Sequence, residues 1–370
     1  MTETATPKAT SPTPLAALLL QVAPVGVPEL VAYRGALTPR RLDEAEKETA
    51  ALLSRAAVHD LGWLRRVAVR GEDRFRWLSG MVTNTVHDLG VNAGAWNLVL
   101  NAQGRIQGDL HVWRDGDNLD LTIAADQYDR LLAHLERFII MDDVELVPLG
   151  EETALGLAGP LAADVLTQLG LPALAEPLTS ARAAWNGKEL RIVHGYGVLA
   201  PHYELWVRSA EIPALWSALV EAGATPVGAA TLEAFRIAEG IPAYGIDIAE
   251  RDLPQETSQI RVLHFSKGCY LGQEIVERIH SRGSVHRHLR QLELSGPVPA
   301  TGAELRLDGG VIAGQITSTA ELPLANVNRI FALGMMRGEA ELRDQPFTYS
   351  VGTATGTAHI LAAPPELKAS

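Results

Sequence analysis

Cysteine is almost absent from this chain: Cys269 is the single thiol among 370 residues. A lone thiol excludes an intramolecular disulfide, and it excludes a cysteine-rich zinc cage or a complete cluster-ligand set within one chain. Such usage fits a reducing compartment, and the expected location is cytoplasmic. Basic charge is also short, with 32 Lys and Arg against 44 Asp and Glu and a formal net charge of −12. That balance argues against stable DNA binding, because domains held by phosphate contacts usually carry a net basic surface. Long apolar runs are missing too. Residues 15–22 are apolar, but Pro24 and Pro28 follow, and the run falls well short of the roughly 18 residues of a membrane span. It reads as a short helix, and no membrane association is expected.

No self-similar period is visible, which removes repeat architectures. No phosphate-cradling glycine loop, serine elbow or helical zinc pair occurs, so nucleotide, hydrolase and zinc-protease chemistry lack support. What is present is 47% hydrophobic composition, enough for a large globular core and two or three domains. Residues 1–12 are rich in Thr, Pro, Ser and Ala and are expected as a disordered tail.

Along the chain the pattern is α+β. Residues 43–57 begin with Glu44, Glu46, Lys47 and Glu48 and carry Leu52, Leu53 and Ala56 on one side, which predicts a helix. Residues 65–70 predict a strand, followed by a turn at 71–73 and an amphipathic run through Phe75, Trp77, Leu78 and Met81. Residues 96–100 and 106–113 form a hairpin signal around Asn101-Ala102-Gln103-Gly104-Arg105, with Asp109 inside the second strand. A strand at 119–123 and a helix at 126–138 follow, the latter from Tyr128, Leu131, Leu132, Leu135 and Phe138 at three-and-four spacing. Similar alternation runs to Ala222, and Gly240 and Pro242 stop a helix at 231–239. After about Leu289 the texture changes to short β-prone runs separated by Gly and Pro, which predicts a small β-barrel. The expected organisation is 13–150 and 151–288 as two parts of one α+β region, and 289–365 as the barrel.

The sharpest local feature is Lys267-Gly268-Cys269-Tyr270-Leu271-Gly272-Gln273-Glu274, which joins the only thiol to one of five lysines. Glycines beside a thiol admit close approach, and an ammonium two residues away would stabilise a thiolate. The plainer alternative is a buried cysteine acting as a small hydrophobe. Downstream, Arg278, Arg282-Gly283 and Arg287 with His280, His286 and His288 make a cationic stretch able to meet an anionic partner. His286 and His288 would share a strand face, but no carboxylate or thiol pattern accompanies them, so a solvated face is expected and no metal site. Asp109 reads either as a poised carboxylate or as a strand aspartate with an ordinary hydrogen bond.

Taken in order, several segments resemble the T-protein of the glycine cleavage system and its YgfZ-type relatives. These are Thr13-Pro14-Leu15-Ala16-Ala17-Leu18, residues 78–84 and 98–112, Leu157-Ala158-Gly159-Pro160, residues 236–245 and Gly314-Gln315-Ile316-Thr317-Ser318. The octapeptide around Cys269, with Arg282-Gly283, resembles the YgfZ-type branch. The resemblance implies three domains in a ring around a central opening that holds tetrahydrofolate, with the last domain a β-barrel. By motif position it implies that Asp109 faces the reactive nitrogens of folate, that Glu204 contacts the pterin, and that Arg236 lines the site. It also places Arg105 near the opening and Tyr270 among the cofactor contacts. Two departures from T-proteins, Tyr196-Gly197-Val198-Leu199-Ala200 in place of Gly-Tyr-Thr-Gly-Glu and Ala124 in place of an asparagine, weigh against aminomethyl transfer.

The leading expectation is therefore a tetrahydrofolate-binding accessory protein of iron–sulfur cluster assembly or repair, serving cluster-dependent enzymes such as those that thiolate tRNA. Cys269 would act as thiolate, with Lys267 lowering its pKa, toward an assembly or client protein. One alternative is a folate-dependent aminomethyltransferase or demethylase. The other is a non-catalytic interaction protein with a vestigial cleft.

Overall fold

The computed structural model describes residues 10–22, 28–324, 327–342 and 345–367. Two antiparallel-rich sheets and one barrel organise it. The first sheet has five strands in the order Gly94–Leu100, Ile106–Asp115, Asn118–Ala124, Leu64–Arg70 and Glu145–Pro148. The second has six, in the order Thr179–Trp185, Lys188–His194, His202–Arg208, Glu152–Ala158, Ala57–Asp60 and Thr225–Val227, the last pair parallel. Six further strands from Arg287–Ser295 to Ala354–Ile360 close into a barrel, as the Gly- and Pro-punctuated texture predicts. The mixed α and β class expected from the sequence is the class observed.

Period-two alternation builds the working faces. In Ile106–Asp115, Ile106, Gly108, Leu110 and Val112 are buried while Gln107, Asp109 and His111 are less so. Leu110 and Val112 pack with Leu131, Leu132 and Leu135 of helix Ala125–Glu136 in the first core. In His202–Arg208, Tyr203, Leu205 and Val207 join Leu215 and Leu219 of helix Ile212–Glu221 in the second core. The opposite faces of the two sheets, carrying Asp109, His111, His202 and Glu204, are left to look at each other.

Helix Ala229–Ala238 covers this space from a third side and packs through Ala234 and Ile237 onto Leu289, Phe331 and Leu333 of the barrel. That junction is a core of its own, which also takes in Trp96, Leu98, Tyr244 and Tyr270.

Several boundaries shift. The helix expected at 43–57 is Ala45–Ser54, because Ala57–Asp60 is claimed by the second sheet. Of the tail expected at residues 1–12, residues 1–9 lie outside the described residues. Ser11 accepts from the Leu37 amide and Pro12 bridges Leu37, so this end of the expected tail is held by an edge strand. The strand expected to carry both His286 and His288 begins at Arg287 and holds only His288, whose Nδ1 lies 3.0 Å from Glu341. Among the described residues no helix is long and apolar enough to cross a membrane.

Candidate functional site

A cavity of about 250 Å³ lies between the inner faces of the two sheets. Asp109, Glu204 and Arg236, far apart in the chain, all line it. Its walls are otherwise largely apolar or aromatic, with Leu61, Leu110, Phe235, Trp63 and Trp96 among them.

Asp109 is held from two sides. Oδ2 accepts from Trp96 Nε1 at 2.9 Å, and Oδ1 accepts from Gln127 Nε2 at 2.9 Å, while Gln127 Oε1 accepts the Asp109 amide at 3.0 Å. The glycine before it makes this possible: a Cβ on Gly108 would stand 2.7 Å from Gln127 Oε1 and 2.8 Å from the Leu131 methyls. Helix Ala125–Glu136 can therefore lie close enough to bring Gln127 to the carboxylate. Two donors and one backbone tie fix its orientation in a partly dry site, the condition under which a carboxylate can place a proton or a cationic nitrogen.

Glu204 sits opposite. Its Oε2 accepts from Trp206 Nε1 at 2.7 Å, and its other oxygen makes no hydrogen bond among the described residues. Burial pushes its carboxyl above the usual range, against the pull of Trp206, Arg191 and Arg66. It is thus able to accept from a ligand's paired N–H edge.

Arg236 lines the cavity as expected, but its donors are already committed. Nε and Nη2 donate to Glu233, Nη1 donates to Asp247 and the Ile241 carbonyl, and Nη2 also donates to Ser318. All five N–H groups of the guanidinium are spent. The fork is a tie between helix Ala229–Ala238, the buried Asp247 and the barrel, with no N–H left for a ligand. Burial opposes its charge, but Glu233 and Asp247 raise its pKa further.

The guanidinium groups with capacity to spare are Arg34 and Arg261, which sequence reasoning missed. Each lines the cavity with a buried Nε that makes no hydrogen bond among the described residues, although Arg34 Nε has Asp126 as an ion-pair neighbour at 3.7 Å. Arg261 lies between aromatic faces, 3.8 Å from the Tyr196 ring centroid and 5.0 Å from that of Trp96. Also missed are three imidazoles: burial drops His59 to about 3, and His111 and His202 to about 4, so all are neutral at physiological pH. Glu239 likewise faces the cavity; burial lifts it to about 7 although Val198 and Leu199 donate their amides to it. The only sequence signal for these was polar side chains within β-prone or amphipathic runs.

The octapeptide is elsewhere: none of its residues lines the cavity. Cys269 is exposed, so the alternative of a thiol buried as a small hydrophobe does not hold. Lys267 Nζ donates to the carbonyls of Val82 at 2.6 Å and Asn84 at 2.7 Å, and burial lowers its pKa to about 7. No hydrogen bond joins it to Cys269, so the expected ammonium–thiolate pair is absent: the side chain is an anchor for the loop.

Tyr270, expected at the cofactor, is instead buried in the junction core. Arg105 donates to the Arg251 carbonyl at 2.6 Å and does not line the cavity.

Gly272, at φ +81°, turns the chain into helix Gln273–Arg282; a Cβ there would meet the Asn101 carbonyl at 2.5 Å. Gln273 Oε1 accepts the Tyr270 amide at 3.2 Å. Gly268 has nothing within 4 Å of an added Cβ. The cationic stretch is largely matched: Arg278 pairs with Glu274, Arg287 with Asp252 and Glu256, and His280 stacks on Phe265. Arg282 and Gly283 lie exposed at the helix end.

Residues 25–267 match the family model described as the GCVT N-terminal domain. An aminomethyltransferase of Rubrobacter xylanophilus is 30% identical over 321 residues, covering 84% of each chain. One of Thermus thermophilus is 28% identical over 318 residues, covering 84% of this chain and 88% of its own. Among solved structures, the glycine cleavage system aminomethyltransferase T of Bartonella henselae shares the fold, with a TM-score of 0.86 over 96% of this chain and 98% of its own at 19% identity.

Proposed function

This chain belongs to the GCVT family, and from that premise we propose that it is a tetrahydrofolate-dependent one-carbon transferase working in the cavity between the two sheets. The cofactor is tetrahydrofolate, which when bound supplies the nitrogens that accept or release the one-carbon unit. The cavity's chemistry fits it: apolar and aromatic walls for a flat ring, a buried carboxylate for an N–H edge, and guanidinium Nε–H donors that make no hydrogen bond among the described residues for anionic ends.

Within that reading Glu204 accepts from the ring edge with its uncommitted oxygen, and Arg34 and Arg261 offer Nε–H donors to carboxylates. Asp109 orients the reacting nitrogen and stabilises positive charge there. The observation that carries the reading is the clamp on Asp109, since Trp96 and Gln127 pin a carboxylate on the wall of a largely apolar and aromatic cavity, with Glu204 on its opposite wall. The test combines calorimetry with tetrahydrofolate and turnover of a methylamine-type donor. Binding with turnover supports the transferase, binding without turnover removes the catalytic part, and no heat at high ligand concentration ends the folate reading altogether.

The expectation of service to iron–sulfur cluster assembly rests on the octapeptide, and the names of the relatives favour the one-carbon alternative instead. One observation keeps it as a second reading: Cys269 is presented to solvent on a loop pinned by Lys267, Tyr270 and Gly272. In that reading Cys269 is offered to a partner protein. Activity of cluster-dependent enzymes in cells carrying Cys269→Ala decides it, and unchanged activity removes the thiol from the mechanism.

A further inference from the structure

On the second sheet, His59, Gly156 and Glu204 stand directly opposite one another on three adjacent strands, so their side-chain positions share one face. Gly156 has no side chain to occupy the middle position. A Cβ there would lie 2.0 Å from His59 Cε1, 2.3 Å from Nε2 and 2.6 Å from Nδ1. The imidazole of His59 therefore lies flat over Gly156, reaching across the central strand toward the strand that carries Glu204. His202, the residue two before Glu204 on that strand, stacks against it at 5.4 Å with 28° between the rings.

His59 is 1% exposed, and among the described residues neither ring nitrogen makes a hydrogen bond of acceptable geometry. The Asp60 backbone approaches it but offsets only a part of the burial effect. A buried imidazole with both nitrogens unpartnered loses free energy relative to water unless something completes it. Here the ring borders the cavity.

We propose that His59 is a ligand-binding residue, and that its imidazole, laid over Gly156 beside Glu204, reads the donor–acceptor edge of a planar, uncharged heteroaromatic ring such as a reduced pterin. The class follows from the neighbours. A neutral imidazole offers one donor and one acceptor, and Glu204 offers an acceptor, so the pair matches an edge with N–H groups beside a carbonyl or ring nitrogen. An anionic group at the same place would meet the Glu204 carboxylate, and the neutral ring of His59 offers a cation no charge of its own. The inference rests on the folate reading for the identity of the ring and deepens it by naming a residue that reads that ring.

The test uses the full chain with two probes, tetrahydrofolate and 6-methyltetrahydropterin, which lacks the benzoyl-glutamate tail. In wild-type protein the His59 ring nitrogen resonances are expected to move on saturation with either probe. His59→Ala, which adds no bulk to the cavity, is expected to weaken both affinities about tenfold, and His59→Gln, which keeps a donor and an acceptor, to recover to within about threefold of wild type. Unmoved His59 resonances in a saturated complex overturn the inference and leave the folate reading standing. Affinities of His59→Ala within about twofold of wild type do the same, even if that variant unfolds at a different midpoint. Wild-type protein that binds neither probe ends both readings. Should His59→Ala fail to fold, the wild-type resonances alone decide.

Discussion

Glu239 gives the structure its most direct pH test. It caps helix Ala229–Ala238, and its Oε1 accepts the amides of Val198 at 2.8 Å and Leu199 at 2.9 Å, tying residues 196–200 to the cavity rim. Burial lifts its pKa from 4.5 to about 7, with those amides and Arg261 pulling the other way. A folded-state pKa above the unfolded one means that the folded protein holds the proton more tightly. The resulting stability is fully present below about pH 4.5 and is lost as pH rises through about 7. Between pH 5 and pH 8 the loss is about 2.5 kcal/mol, at about 1.4 kcal/mol for each tenfold change in proton affinity.

Glu239→Gln isolates this contribution. The amide oxygen can still accept from Val198 and Leu199, but nothing titrates. Urea unfolding of both proteins at several pH values, with slopes compared, gives the stability difference directly, and other titrating groups cancel in the subtraction. At pH 5 the two are expected to lie within about 1 kcal/mol of each other, because wild type carries the neutral acid; at pH 8 the variant is expected to be ahead by about 2–3 kcal/mol. A difference that stays constant within about 0.5 kcal/mol from pH 5 to pH 8 would show that the carboxyl is not held in its neutral form by burial.

Arg236→Ala leaves Asp247 and Glu233 without their cation and is expected to cost about 3–5 kcal/mol in urea unfolding, the signature of a broken buried tie. Gly272→Ala must place a Cβ 2.5 Å from the Asn101 carbonyl at φ +81°, so it is expected to destabilise by at least about 1–2 kcal/mol and to change the rate at which Cys269 reacts with a thiol reagent. Asp109→Asn keeps the shape but removes the charge, and turnover of a methylamine donor is expected to fall about a hundredfold or more with the unfolding midpoint little changed. Cys269→Ala is expected to leave tetrahydrofolate affinity unchanged and stability within about 0.5 kcal/mol, because the exposed thiol touches neither the cavity nor a core.

The elements that local pattern can encode were legible. Leu131, Leu132 and Leu135 fall at helical spacing and pack as a helix must, and the loop 101–105 returns the chain into the second strand through Gly104 at φ +71°. Local pattern was silent where partners come from afar. Glu233 is one turn before Arg236, but the Ile241 carbonyl and Asp247 become its partners only once the segment after the helix folds back on it, and Ser318 only once the barrel docks. Lys267 stands two residues from Cys269, and proximity in sequence suggested an ion pair. The fold instead sends its ammonium to carbonyls at Val82 and Asn84, where a buried cation finds acceptors and leaves Cys269 to solvent. Helix Gln273–Arg282 did carry a local signal, with Ile275, Val276 and Ile279 at helical spacing among charged residues, although Val276 alone among them is fully buried.

The cavity itself was the hardest feature to read, and the reason is general. A strand with one apolar and one polar face carries the same alternation whether the polar face meets water or an internal cleft. In Ile106–Asp115 the polar positions are Gln107, Asp109, His111 and, at the far end, Trp113; in His202–Arg208 they are His202, Glu204 and Trp206. The tryptophans distinguish the two cases. Trp113 and Trp206 belong to one buried cluster with Leu61, which two solvent faces could not form. An aromatic ring closing a row of otherwise polar positions is thus the sequence mark of a polar face turned inward, and it places Asp109, His111, His202 and Glu204 on facing walls of one cleft rather than on two wet surfaces.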